Sequence, residues 1–198
     1  MRTALLPADF RWEHCDLRSV GGNKGNEHSG VLAAQADANP HNRQWRLGKT
    51  WLGDQLSSRL SLPLVRLDDV YWAGTYGAEG RPKDEVFRDV HDRASKDAWV
   101  MEGVYGWLLP AALPRATEFV FIDLPVAECL TNLRSRGNQG GGSQASFQTM
   151  LDWVSEYPNR SNSNSRLTHQ RLWDQFVGKK DLLTSREELD RYAGLSNT

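Results

Sequence analysis

From residue 48 onward, helix-like and strand-like segments alternate at short spacing, a pattern that restricts the chain to an α/β domain with a mostly parallel sheet. TWLGDQLSSRL, residues 50–60, carries Trp51, Leu52, Leu56 and Leu60 at helical spacing, and after Pro63 the run 64–67 is short and apolar, so helix then strand is expected. Pro82 can open a second helix whose Val86, Phe87, Val90 and Ala94 share a face, with a buried strand behind it at 98–101. FVFI at 119–122 is the clearest strand, and Pro125 opens a helix through Leu133. A weaker strand at 181–183 precedes a helix over 185–192, where Ser185 and Glu188 have the spacing of a capping box.

Bulk properties narrow the function classes. A chain of 198 residues fits one compact domain, with or without a poorly ordered extension, and 39% hydrophobic content is enough for a core. Lys plus Arg total 24 against 25 for Asp plus Glu, so no global field draws the protein to nucleic acid or an anionic membrane. A phosphate ligand would need local charges. Cys15 and Cys129 make neither a disulfide framework nor a zinc site, and the five histidines lack ligand spacing. No apolar run is long enough to span a membrane and no export signal opens the chain, so the expected location is cytoplasmic. The eight tryptophans are scattered and fit core packing better than base stacking. Oligomeric state is not legible.

Between residues 137 and 165 the composition turns to Gly, Ser, Asn and Gln, as in GNQGGGSQ and NRSNSNS, around an apolar patch of Phe147, Met150, Leu151 and Trp153. A flap with one helix inside it is the expectation; a plain flexible linker is the alternative.

Gly48-Lys49-Thr50, followed at once by a helix, matches the second half of a phosphate-binding loop, G-x-x-x-x-G-K-[ST]. In such a loop backbone N–H groups surround the phosphates, the lysine bridges the outer ones and the hydroxyl binds Mg²⁺. The first half is broken: Arg43 stands where the motif has glycine, and RQWRL at 43–47 supplies bulky side chains where φ > 0 is needed.

On the stretches GKTWLGDQLSSRLSLPLVRLDDVYW (48–72), WVMEGVYG (99–106), FVFIDLP (119–125), LRSRG (133–137) and LLTSREELDRY (182–192), the chain resembles adenylate kinase-related small P-loop kinases. The likeness is to the DNA topology modulation or FlaR-like group in particular. It implies a three-layer P-loop NTPase fold of the nucleoside-kinase kind, with parallel strand order 2-3-1-4-5, over residues 48–198. It also implies an ATP- and Mg²⁺-dependent phosphotransferase acting on a small acceptor, with Gly48, Lys49 and Thr50 at the triphosphate and Thr50 on the metal. Asp68 would face the acceptor or the metal as a catalytic carboxylate, the alternative being a solvated turn. Glu102, Gly103 and Tyr105 would meet the acceptor, although Glu102 could simply end its strand. Arg134 and Arg136 would be lid arginines reaching the transferred phosphoryl group, in a lid at about 134–166; dipole-favoured arginines at a helix C-terminus are the alternative. Arg160 and Arg166, across the flap, are weaker candidates of the same kind. Asp123 is expected to cap the helix that Pro125 opens.

Residues 1–47 depart from the family pattern. ADANPHNRQWRL at 36–47 offers no strand leading into the loop, and GVLAAQ at 30–35 lies far from Gly48, so the first strand is expected to be missing or abnormal. Trp45 has a single codon, and a one-base shift turns its last two bases into the start of a glycine codon. One permitted coding of residues 36–47, read in that frame with one G restored before Gly48, gives MRIRTIGSGGS and then GKT. That is a start methionine, a strand and a complete glycine loop; on this reading residues 1–47 are out-of-frame translation and are expected to form no packed element. With the loop as written, two other readings stand: an inactive kinase-like shell, and a non-catalytic nucleotide-binding or nucleic-acid-associated P-loop protein, although balanced charge speaks against direct DNA contact.

Overall fold

The computed structural model describes residues 29–34, 48–72, 79–138 and 143–195. Five parallel strands form one sheet in the order β2-β3-β1-β4-β5: β1 Ser29–Ala34, β2 Leu64–Arg66, β3 Ala98–Glu102, β4 Glu118–Ile122 and β5 Lys179–Leu183. Helices α1 Lys49–Leu60, α2 Leu67–Trp72, α3 Lys83–Ala94, α4 Leu109–Ala112, α5 Val126–Arg136, α6 Gln144–Ser155, α7 Arg166–Gln175 and α8 Arg186–Ala193 complete the described elements, with two single 3₁₀ turns.

Strand alternation distributes the core to both faces of the sheet. Trp99, Met101 and Phe119 point to one side, against Val86, Val90 and Ala94 of α3 and Leu109 and Ala112 of α4. Val100, Val120 and Ile122 point to the other, against Leu52 and Leu56 of α1, Leu133 of α5 and Leu189 of α8. Three layers result, because a parallel sheet is buried on both faces by its crossover helices.

The helix from Pro82 buries Val86, Val90 and Ala94, while Phe87 is partly buried. Ser185 caps α8 by accepting from the Glu188 amide at 3.2 Å, and the Glu188 carboxylate reaches back to the Thr184 amide at 2.6 Å. The flap's apolar patch belongs to α6, whose Phe147, Leu151 and Val154 enter the same core as α1 and α5.

Three expectations are corrected. A first strand is present: Ser29–Ala34 lies between β3 and β4, with Val31 opposite Val100 and Leu32 opposite Phe119. A central parallel strand needs only a short run free of proline, and the cost of closing the connection through 35–47 rises slowly with its length. The stretch 36–47 itself lies outside the described residues, as does the broken loop at 43–47. Leu67 opens α2 instead of ending β2, which puts Asp68 and Asp69 in a helical first turn where carboxylates are favoured. Finally, α7 is a helix that the sequence analysis left out; its buried side holds Thr168 and His169, a poor signal for apolar periodicity. Among the described residues no helix is long and apolar enough to cross a membrane.

Candidate functional site

Gly48 sits at the N-cap of α1 with φ 92° and ψ −146°, a conformation open in practice to glycine, and makes no side-chain cap hydrogen bond. The first turn of α1 therefore receives no side-chain cap from its own N-cap residue. Lys49 follows and is completely buried, its ammonium 3.1 Å from Glu102 Oε2 and donating to Asp68 Oδ2 at 3.4 Å and to Thr50 Oγ1 at 3.3 Å. Thr50 donates its hydroxyl to Glu102 Oε1 at 3.4 Å.

Glu102 closes β3 and is 1% exposed. Burial pushes its carboxyl above the ordinary value, the Lys49 charge pulls it down and the Asp68 charge raises it again. Arg66 stands 4.0 Å from Glu102 and is ion-paired to Asp54 of α1. The cluster thus gathers residues from α1, β2, α2 and the carboxyl end of β3, the end of a parallel sheet at which α/β proteins place their ligands.

Asp68 is held at both oxygens. The Tyr105 hydroxyl donates to Oδ1 at 2.7 Å, Lys49 donates to Oδ2, and Trp72 Nε1 donates to the Tyr105 oxygen at 2.8 Å. Because the indole is a donor only, the tyrosine proton is directed at Asp68. Trp72 was absent from the sequence candidates; nothing but its position four residues after Asp68 in a short helix pointed to it.

Gly103 allows β3 and α2 to approach: a Cβ there would lie 2.6 Å from Leu67 Cβ and 2.8 Å from its Cδ1, and Leu67 is fully buried. Gly103→Ala is expected to destabilise the fold by about 1–3 kcal/mol. Urea unfolding should show a lower midpoint with an unchanged slope.

The sequence-predicted residues divide. Gly48, Lys49, Thr50, Asp68, Glu102, Gly103 and Tyr105 come together. Arg134 and Arg136 lie in the last turn of α5, where Arg134 is exposed; the side chain of Arg136 is outside the described residues. The described bonds of the Lys49 cluster do not include Arg134. Arg166 lays its guanidinium on Asp123, Nε donating to Oδ1 at 2.8 Å and to Oδ2 at 3.0 Å. This corrects the role of Asp123: Pro125 stands at the N-cap of α5, and the carboxylate answers α7 instead. Arg160 stacks on Trp153 at 3.9 Å and donates to the Trp153 carbonyl.

His169 ties α7 to this region. It is fully buried, with Nε2 3.1 Å from the Val104 carbonyl and Nδ1 2.7 Å from the Tyr157 hydroxyl. The neutral ring with Nε2–H donating and Nδ1 accepting satisfies both partners. Burial lowers its pKa to about 4 from 6.5. The neutral form's contribution to stability is therefore complete above pH 6.5 and is lost as pH falls towards 4, amounting to about 3 kcal/mol. Denaturant titrations across that window should show the loss, and His169→Gln should flatten the slope.

No protein-family model matches the chain, and no curated protein does. Among solved structures, shikimate kinase from Acinetobacter baumannii in complex with shikimate aligns with 13% identity and a TM-score of 0.46, over 85% of this chain and 89% of that one. Shikimate kinase from Bacteroides thetaiotaomicron gives 13% and 0.46, over 84% and 94%. An uncharacterized protein from Eubacterium ventriosum gives 11% and 0.45, over 86% and 96%. Functional interpretation rests on the side chains of the site.

Proposed function

We propose that the chain is a small P-loop kinase of the adenylate kinase-related, FlaR-like kind, moving the terminal phosphoryl group of ATP to a small hydroxyl acceptor. One observation carries this: the ammonium of Lys49, buried at the start of α1, meets Asp68 and Glu102 beside the hydroxyl of Thr50. A lysine so enclosed is a poor general surface cation and a good partner for an entering polyphosphate, which would compete with the carboxylates for it.

Residues 48–50 would hold the triphosphate with the first N–H groups of α1. Magnesium fits here as a hard cation, since Thr50 Oγ1 and Glu102 Oε1 are 3.4 Å apart with Asp68 beyond Lys49, and Mg²⁺ is commonly held by one or two protein oxygens plus phosphates. When bound, it would neutralise charge developing on the phosphoryl oxygens. Asp68, oriented by Tyr105, would accept or steer the acceptor's hydroxyl proton. Arg134 and Arg136 would complete the charge stabilisation from a lid spanning about 134–166.

The alternative of a non-catalytic nucleotide binder draws on RQWRL at 43–47, which lacks the glycines of the motif. Thermal unfolding with and without Mg·ATP tests the proposal: ligand at a hundred times its Kd adds about 2.7 kcal/mol of stability. Phosphoryl transfer to a panel of small alcohols then separates kinase from binder. Stabilisation that survives Lys49→Ala would remove the assignment.

A further inference from the structure

We infer that the acceptor is an uncharged or cationic alcohol carried on a flat unsaturated ring, of the chemistry of a nucleoside or a hydroxymethyl heteroaromatic, and not a nucleoside monophosphate or a sugar acid. The inference rests on the phosphotransfer reading of the Lys49 site and concerns its acceptor side.

Four aromatic rings converge around Tyr71, and one of them, Tyr105, bonds Asp68. Tyr71 and Trp72 come from α2, and Tyr105 and Trp107 from the segment after β3. Tyr71 lies 4.6 Å from Trp72, 5.3 Å from Tyr105 and 6.0 Å from Trp107, centroid to centroid. Tyr71, Trp72 and Trp107 are partly buried, so this corner is not closed into the core, while Trp72 donates to the Tyr105 oxygen and the Tyr105 hydroxyl donates to Asp68. Ring faces and carboxylate therefore occupy one place, and a planar ligand stacked there would carry its hydroxyl towards Asp68.

Charge selects further. Asp68 and Glu102 put carboxylates at this end of the sheet, and an acceptor with its own anion would meet like charge. The arginines flanking α2 are already paired to carboxylates: Arg66 to Asp54, with Glu102 4.0 Å away, and Arg81 to Asp89 at 2.9 Å, with a further bond to the Val70 carbonyl at 3.0 Å. Lys83 directs its ammonium onto the Trp107 ring at 5.6 Å, so the ring already serves as a platform for a side chain.

The full chain, saturated with the magnesium complex of a non-hydrolysable ATP analogue to fill the nucleotide site, is titrated by calorimetry with uridine, pyridoxine, uridine monophosphate and ribose. At least one of the two neutral ring alcohols is expected to saturate and to bind about tenfold or more tighter than both the monophosphate and ribose. Trp107→Ala should weaken that binding roughly tenfold, the scale of a lost stacking platform, and Trp107→Phe should retain most of it. The inference is overturned if the monophosphate or ribose matches the ring alcohols, if neither ring alcohol saturates, or if Trp107→Ala leaves the affinity unchanged. Should Trp107→Ala not fold, the ranking on the unaltered chain decides. Failure of the analogue to bind, or equal binding to Lys49→Ala, removes the phosphotransfer reading and the inference with it; a bound analogue with the wrong ranking removes the acceptor class alone.

Discussion

Lys49→Ala is expected to abolish Mg·ATP-dependent stabilisation and to lower phosphoryl transfer by roughly 10²–10³-fold, the scale of losing one preorganised stabiliser of developing charge. The same substitution has a structural cost that must be separated from the functional one. Glu102 is buried and 3.1 Å from the ammonium, and removing one partner of a buried pair costs about 3–5 kcal/mol. Lys49→Met keeps most of the chain volume and leaves the carboxylates facing each other. Adding Glu102→Gln to Lys49→Met should restore much of the thermal stability, since an amide needs no counter-charge, while leaving nucleotide binding absent. If the double variant instead regained Mg·ATP binding, Lys49 would be a counter-ion to Glu102 and nothing more.

How far the sequence revealed this molecule depended on whether a signal was local. FVFI at 119–122 and the Ser185/Glu188 pair describe themselves, because a buried strand and a helix cap are made by neighbours in the chain. Lys49 and Thr50 were legible for the same reason, as a short motif ahead of a periodic helix. The bond from Tyr105 to Asp68 was not, since it joins residues that only the meeting of α2 with the end of β3 brings together. Helix α7 was missed because its buried side is polar: His169 is satisfied by Tyr157 and Val104, partners that composition cannot supply. By sequence Asp123 belongs to the nearest helix start, whereas its partner is Arg166, the first residue of α7, 43 positions on. In β1, GVLAA was set aside for its distance from Gly48, a weak objection when connection length costs little.

Restoring glycines before Gly48 should raise affinity for Mg·ATP by at least about tenfold, because each backbone N–H freed to face a phosphate contributes a charge-assisted bond of about 1.5–3 kcal/mol. The variant replaces residues 43–47 so that GSGGS precedes Gly48, whose φ of 92° already uses the freedom of glycine. We propose further that residues 1–47 are out-of-frame translation, and β1 provides the means to test it. Ser29–Ala34 pairs with both β3 and β4, so deleting residues 1–35 from the chain as written removes the central strand and should unfold the protein. A chain that opens MRIRTIGSGGS directly before Gly48 lacks those residues too, yet RIRTI can take the central place and run straight into a complete loop. It should fold, bind Mg·ATP and transfer phosphate. Sequencing the DNA across codons 36–48 should reveal a single-base change opening that frame; its absence, or failure of the short chain to fold, would leave Ser29–Ala34 as the native first strand and the glycine-poor loop as the protein's own.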